Sequence, residues 1–372
     1  MKIFVIGHGC LPSSAPLRGI FSFDQAQALH KAGHNVIYIS LDLRSIRRWR
    51  KWGKTHFFKE GIEVYEQSIP LGRMPAKFFV TIGQLGLLSL YKEIARKHGE
   101  PDVIHAHFTD IAAISTILKK IYNLPLIITE HSSGLIYDTI SNDTLFLMKK
   151  AYFNSDAIIS VSSPLKRRIK HHLGSSSIVI PNIVDVNRFN YSPIKHGRFT
   201  FISVGNLIHR KGFDLLIYAF EAFKNCNVDL YIIGDGKERY NLSLLIKRLE
   251  LENQIFLLGY KSRSEVAELM NKSDVFILAS RGETFGVVYI EAMLAGLPVI
   301  ATDCGGPSDF ISEENGILVP VNDIKSLKQA MNQMFTGRNN YDSAVIRKMC
   351  IENFAPHVIA SQLESVYMSV KK

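Results

Sequence analysis

Two acids, Glu283 and Glu291, stand in the stretch SRGETFGVVYIEA (280–292) with seven residues between them. Carboxylate pairs cleave glycosidic bonds with retention when they sit about 5 Å apart, one as nucleophile and one as acid–base catalyst. The local pattern argues against that chemistry. The run DVFILAS (274–280) reads as a strand ending at Ser280, and Thr284 is a candidate cap for a helix running to about Ala295. Glu283 then precedes the helix and Glu291 lies inside it, and eight residues of continuous helix span roughly 12 Å. The two acids are expected to make separate contacts. Gly286 lets backbone N–H groups approach a ligand closely, and a helix N-terminus favours an anion. Glu291 can accept hydrogen bonds from two neighbouring hydroxyls, as a ribose presents them, or can be a plain exposed helix glutamate.

Two more strand-to-loop junctions carry candidate chemistry. In VGNLIHRKGFDLL (204–216), Arg210 and Lys211 precede Gly212 and a helix. Two fixed cations there can hold a diphosphate; the alternative is a solvated loop. IIGDGKERY (232–240) is a glycine turn after a strand, but it lacks the third glycine of the dinucleotide fingerprint, and GHGCLP (7–12) has proline at that place. A dehydrogenase is disfavoured. No Asp-x-Asp motif occurs and no His, Cys and Asp cluster has metal-ligand spacing, so neither a metal nor a cofactor is expected. Of the histidines in DVIHAH (102–107), His105 reads as core packing before catalysis.

A βαβ rhythm positions these residues. Candidate strands KIFVI (2–6), NVIYIS (35–40), DVIHAH (102–107), LPLIITE (124–130), DAIISVS (156–162) and SIVIP (177–181) alternate with helical patterns such as FDQAQALHKAGH (23–34). The rhythm restarts after the Pro- and Asn-rich PNIVDVNRFNYSPIKHG (181–197), with strands at 198–205, 228–234, 254–259, 274–280 and 297–302. The expected fold class is α/β, two doubly wound Rossmann-like domains facing across a cleft, with ligands beyond the carboxyl ends of the strands. The domains are expected at 1–190 and 198–353, with the amphipathic C-terminal helix of residues 355–372 packed back on the first.

With 47% hydrophobic and 21% charged residues, the 372-residue chain can bury two sizeable cores. Cys10, Cys226, Cys304 and Cys350 are scattered without a CxxC pair, which suits a reducing cytosol. The apolar run Ile3 to Ile6 is too short for a signal-peptide core. The mostly apolar Phe78–Tyr91 falls short of the about 20 residues a membrane span needs, so a soluble chain is expected.

Charge is uneven: residues 1–195 hold 25 Lys and Arg against 14 Asp and Glu, and residues 196–372 hold 19 against 20. The first half therefore calls for an anionic partner. In LRSIRRWRKWGK (43–54), a helix would set Leu43, Ile46, Trp49 and Trp52 on one side and most of the basic residues on the other, with Arg50 at the edge. That is an interfacial helix on an anionic membrane, with contacts from Arg44, Arg47, Arg48, Trp49, Lys51 and Trp52, and residues 74–91 can extend the surface. The alternative is a solvated basic helix whose tryptophans pack on the domain. A nucleic-acid partner is not expected, since no helix-turn-helix, RNP or zinc pattern accompanies the charge.

Taken together, GNLIHRKGFDLLI, LYIIGDGKER, FLLGY, ASRGETFGVVYIEAMLAGLPVIATDCGGPSDFI and NGILVP, in that order, resemble the family 4 retaining glycosyltransferases of the GT-B fold. A looser match covers the first half through RGIFSFDQAQALHKAGHNV, DVIHAHF, ITEHSS and VSSPLKRRI, and IPNIVDVNRF resembles the interdomain segment. The resemblance implies that Lys211, with Arg210, binds the donor diphosphate. It gives the ribose to Glu291, the transferred sugar to Glu283, and the phosphate to the amides of Phe285, Gly286 and Val287. It places His131 near the anomeric carbon and Gly19 in the glycine loop after the first strand. The family's frequent arginine after Gly205 is Asn206 here, and Arg210 is the candidate to replace it.

The implied activity is retaining, metal-independent hexosyl transfer from a nucleotide-diphosphate sugar, a UDP-sugar before GDP-mannose. The acceptor would be lipid-linked or a glycan, in cell-envelope polysaccharide or lipopolysaccharide synthesis. The enzyme is expected in the cytoplasm, peripheral on the inner membrane face. Front-face attack is implied, with the leaving phosphate taking the acceptor's proton. The alternatives are a GDP-mannose-dependent mannosyltransferase, a sugar-nucleotide epimerase of the same fold, or a non-catalytic membrane-bound binding subunit.

Overall fold

The computed structural model describes residues 1–9, 19–45, 47, 51–72, 74–186, 189, 197–337 and 340–371. They form two compact units: Met1–Ile183 with Pro356–Lys372, and Val184–Ala355.

In the first unit the chain runs β1 (Lys2–His8), α1 (Ile20–Lys31), β2 (Asn35–Asp42), β3 (Gly53–Lys59), β4 (Ile62–Ser68), α2 (Ala76–His98), β5 (Val103–His107), α3 (Thr109–Tyr122), β6 (Leu126–Glu130), α4 (Asn142–Tyr152), β7 (Ala157–Ser160), α5 (Ser163–Leu173) and β8 (Ile178–Val179). The sheet order is β3-β4-β2-β1-β5-β6-β7-β8. Every pairing is parallel except β3 with β4. β5 and β6 are buried along their whole length, as strands covered on both faces must be.

The β3–β4 hairpin is not among the expected strands. Its turn is Glu60-Gly61, both at positive φ (49° and 83°), the backbone that a two-residue hairpin needs. The alternation of KTHFFK and IEVYEQS around that Glu-Gly pair was the available signal.

The second unit follows as β9 (Phe199–Val204), α6 (Phe213–Phe220), β10 (Val228–Ile233), α7 (Arg239–Arg248), β11 (Ile255–Gly259), α8 (Arg263–Asn271), β12 (Val275–Leu278), α9 (Val287–Leu294), β13 (Val299–Thr302), β14 (Gly316–Val319), α10 (Ile324–Thr336) and α11 (Ser343–Phe354). Its all-parallel sheet has the order β11-β10-β9-β12-β13-β14, the doubly wound order in which the direction of strand addition reverses between β9 and β12. Loops leaving the carboxyl ends of β9 and β12 therefore lie side by side, and these are the loops of Lys211 and Glu283.

The last helix, α12 (Pro356–Val370), returns to the first unit. Ile359, Ala360, Leu363, Val366 and Tyr367 join one apolar cluster with Ile3, Val5, Phe23 and Leu29. Truncating a buried residue such as Leu363 costs about 2–5 kcal/mol. No helix among the described residues is long and apolar enough to cross a membrane.

Candidate active site

In the second unit the loop after β9 tightens into one 3-10 turn, His209–Lys211, and ends at Gly212 with φ 65°. A Cβ at Gly212 would lie 1.8 Å from the Ala279 carbonyl oxygen, so only glycine lets this loop press against the one after β12. The Lys211 ammonium donates to Glu283 Oε1 at 2.5 Å, and Ser280 Oγ donates to the same oxygen at 2.7 Å. Arg210 donates to the Gly282 carbonyl at 2.6 Å and stands 3.6 Å from Glu283 Oε2. Burial by itself would raise the Glu283 carboxyl, but the two cations and Ser280 hold it below the usual carboxylate range. The cluster is thus a buried carboxylate with two fixed cations, charged at neutral pH.

Backbone contacts fix Glu283 from the other side. Its N–H donates to Cys304 O and its carbonyl accepts from Gly306 N–H, at 3.2 and 3.0 Å. Thr284 is not the cap of the following helix. α9 starts at Val287 with Gly286 (φ 92°) at its N-cap, because Glu283 is held in a bridge to Gly305 and the chain bends at Thr284 and Phe285 before the helix begins. Phe285 turns inward and packs on Phe310 and Phe354 at 5.3 and 5.8 Å between centroids.

Glu291 lies on α9, with its carboxylate 3.9 Å from the Arg263 guanidinium. Arg263 sits at the start of α8, where Ser262 and Glu265 form a capping box. Sequence reading missed Ser280 and Arg263; only the Ser-x-x-Glu cap at 262–265 signalled where α8 begins. Lys211, Arg210 and Glu283 come together, while Glu291 keeps a separate partner.

The first unit carries the other predicted residues. Gly19 (φ 69°) is the N-cap of α1, and a Cβ there would meet the carbonyl oxygens of His8 and Gly9 at 2.4 and 2.3 Å. Residues 10–18 of that loop lie outside the described residues. His131 follows β6, and Glu130 sets its backbone. Glu130 Oε1 accepts from the N–H groups of His131 and Ser132 (2.8 and 2.6 Å), and Oε2 accepts from the hydroxyls of Thr109 and Tyr152.

The His131 ring stacks on Phe21 at 5.7 Å and shares a 3.0 Å hydrogen bond, Nε2 to Nδ1, with buried His107. One nitrogen of such a pair must keep its lone pair, so the two imidazoles are not both protonated. Burial pushes His131 down to about 3 and His107 well below its ordinary value. His105 is a core residue, its ring nitrogens bonded to Tyr367 and Thr129 at 2.7 Å each, and burial pushes it down to about 3.

The basic stretch departs from the helical expectation. Leu43, Arg44 and Ser45 leave β2 without helix, Trp52 is not helical, and Gly53 and Lys54 open β3; Ile46, Arg48, Trp49 and Arg50 lie outside the described residues. From Gly53 on, pairing with β4 makes a strand where the expected helix would end. Arg44 folds back on Asp42 in a two-pronged pair (2.9 and 2.6 Å), whereas Arg47, Lys51 and Trp52 are exposed. Phe78 and Leu85, one helical face apart by two turns on α2, are 62% and 65% exposed.

Among the described residues no group of three or more His, Cys, Asp or Glu is placed to hold a metal ion.

Known proteins resemble this chain in sequence and in fold. The model of "Glycosyltransferase Family 4" matches residues 20–188, and that of "Glycosyl transferases group 1" matches 187–352. An uncharacterized glycosyltransferase of Methanocaldococcus jannaschii is 32% identical over 73% of this chain and 74% of its own. TuaC of Bacillus subtilis, named for a role in teichuronic acid biosynthesis, is 25% identical over 90% of this chain and 89% of its own. Among solved structures, Anabaena HepE in complex with UDP and glucose superposes with a TM-score of 0.77 at 20% identity, covering 99% of this chain and all of that one.

Proposed function

Because the chain belongs to the family 4 (group 1) glycosyltransferases of the GT-B fold, we propose that it transfers a hexose, with retention and without a metal, from a nucleotide-diphosphate sugar to a lipid-linked or polysaccharide acceptor. The observation that carries the reading is the Lys211–Glu283 pair with Arg210 beside it. Breaking the bond between the anomeric carbon and the diphosphate leaves negative charge on the phosphate. Fixed cations and helix-start amides stabilise such charge without reorganising. Lys211 and Arg210 supply the cations, and Phe285, Gly286 and Val287 the amides. In this reading Arg210 takes the work of the arginine that Asn206 replaces.

In this reading Glu283 receives the sugar hydroxyls and Glu291 the ribose. The acceptor oxygen bonds to the anomeric carbon on the face the phosphate leaves, and its proton passes to that phosphate. His131, held neutral by burial and oriented by Glu130 and His107, offers the sugar a hydrogen bond rather than a charge. UDP is favoured as the nucleotide, and the bound UDP and glucose of HepE support that choice. An envelope-glycan role is supported by the name of TuaC. Exposed Arg47, Lys51, Trp52, Phe78 and Leu85 on one unit support contact with an anionic inner membrane face.

The test is incubation with UDP-sugars and a panel of lipid and glycan acceptors. Acceptor-dependent release of UDP with retained anomeric configuration supports transfer; an isomerised nucleotide sugar overturns it in favour of epimerisation. Failure to float with anionic liposomes removes the membrane part alone.

A further inference from the structure

Arg281 commits its whole guanidinium to joining loops. Nη1 donates to the His209 carbonyl (2.7 Å) and to Asp214 Oδ1 (2.9 Å), Nη2 donates to Asp214 Oδ2 (2.7 Å), and Nε donates to Asn322 Oδ1 (2.9 Å). Its backbone N–H donates to the Arg210 carbonyl at 2.7 Å. One residue thus ties the turn that carries Arg210 and Lys211 to the loop that carries Glu283, and both to the loop after β14, where Asn322 sits at φ 61°. Asp214 stands in the first turn of α6, where a carboxylate is favoured by the helix dipole.

An isolated surface ion pair contributes little, but a two-pronged planar pair fixes geometry as well as charge. On another side, His209 of the turn borders a cavity of about 360 Å³, lined also by Ile208, Phe213, Asp214, Tyr218 and Leu242. Neither Arg281 nor Asp214 has a hydrogen bond to Lys211 Nζ or the Glu283 carboxylate among those described; what they set is where the backbone presents those groups.

We infer that Arg281 and Asp214 are positioning residues for the donor diphosphate, holding Lys211 and Arg210 in register with Glu283. This rests on the donor reading above. A misplacement near 1 Å costs on the order of 10²-fold in an enzyme site. The full chain is compared as wild type, Arg281→Met, Arg281→Lys, Asp214→Asn and Asp214→Asn/Arg281→Met. Lys224→Met, in the exposed Lys224–Glu250 pair of the same unit, is the control. UDP affinity and stoichiometry are read by calorimetry, donor KM and kcat by UDP release, and Tm by scanning fluorimetry.

Each Arg281 and Asp214 variant is expected to weaken UDP binding and raise donor KM about 10- to 100-fold, with one UDP still bound per folded chain. Arg281→Lys restores the charge without the fork and is expected to fail like Arg281→Met. The double variant is expected to be no worse than the worse single one, because the pair acts as a unit. A merely structural tie would lower Tm and the folded fraction, hence kcat, and leave UDP affinity and KM of the folded molecules at wild-type values; that result overturns the inference. If Arg281→Met does not fold, Asp214→Asn, which keeps the volume, decides on the same readouts. A wild type that binds neither UDP nor GDP overturns the donor reading together with this inference, whereas normal wild-type binding with unchanged variants overturns this inference alone.

Discussion

The two units solve the placing of ionisable groups in a core in opposite ways. In the second, Glu283 is buried but stays charged, because Lys211 at 2.5 Å and Arg210 at 3.6 Å compensate it. In the first, His105, His107 and His131 are buried among aromatic rings, and burial holds all three neutral. In the donor reading proposed above, the Lys211–Glu283 arrangement meets charge that develops in the reaction, and the histidines present hydrogen-bonding groups without charge. Burial thus leaves a charged cluster in one unit and a neutral one in the other.

The largest effect is expected from taking away the compensating cation. Lys211→Met should lower kcat/KM by about 10²–10³-fold, the loss typical for one preorganised charge-stabilising donor. It also leaves Glu283 buried without its nearest cation, which costs about 3–5 kcal/mol unless the carboxyl takes up a proton. Lys211→Met/Glu283→Gln should recover most of that stability, read as Tm, and none of the activity. Recovered activity would mean that Lys211 only neutralises Glu283.

Acid should separate the units next. A histidine whose folded pKa is depressed leaves the unfolded chain binding more protons between the two values, so stability falls as pH falls. For His105 and His131 that window runs from the ordinary 6.5 down to about 3, at about 1.4 kcal/mol per pH unit for each. Glu283, held below the carboxylate value of 4.5, contributes its stability at all pH above that value and loses it only on further acidification. Hydrogen exchange on the full chain at pH 7 and pH 5 should therefore show protection lost around β5 and β6 and kept around β9 and β12. Equal loss in both units would break the contrast.

How far these features were legible in the sequence differs along the same line. The alternating strands, the glycine at 212 and the Lys211, Glu283 and Glu291 spacing could be read directly, because turn geometry and strand periodicity are local. The hairpin of β3 and β4 was missed because Glu60-Gly61 is not among the commonest hairpin turns and the pairing itself is not local. The His107–His131 bond joins residues 24 positions apart and the Arg281 tie residues 41 to 72 apart, and only the sheet order brings them together. Thr284 was misread as a cap because the bridge from Glu283 to Gly305 cannot be seen without β13 in place.

A smaller effect concerns Glu291, which stands apart from the Lys211 cluster and beside Arg263. Glu291→Gln should raise donor KM about tenfold, the worth of one hydrogen bond to a charged group, with kcat near wild type. A fall in kcat with unchanged KM would move Glu291 from nucleotide binding to the chemistry.

The donor reading has Lys211 bind the diphosphate of the nucleotide sugar. Titration calorimetry of UDP and UMP against wild type and Lys211→Met/Glu283→Gln measures that directly. Wild type is predicted to bind UDP at least about tenfold more tightly than UMP, and the variant to lose most of that preference, with Arg210 and the loop amides keeping the rest. A variant that keeps the wild-type preference for UDP would contradict the account.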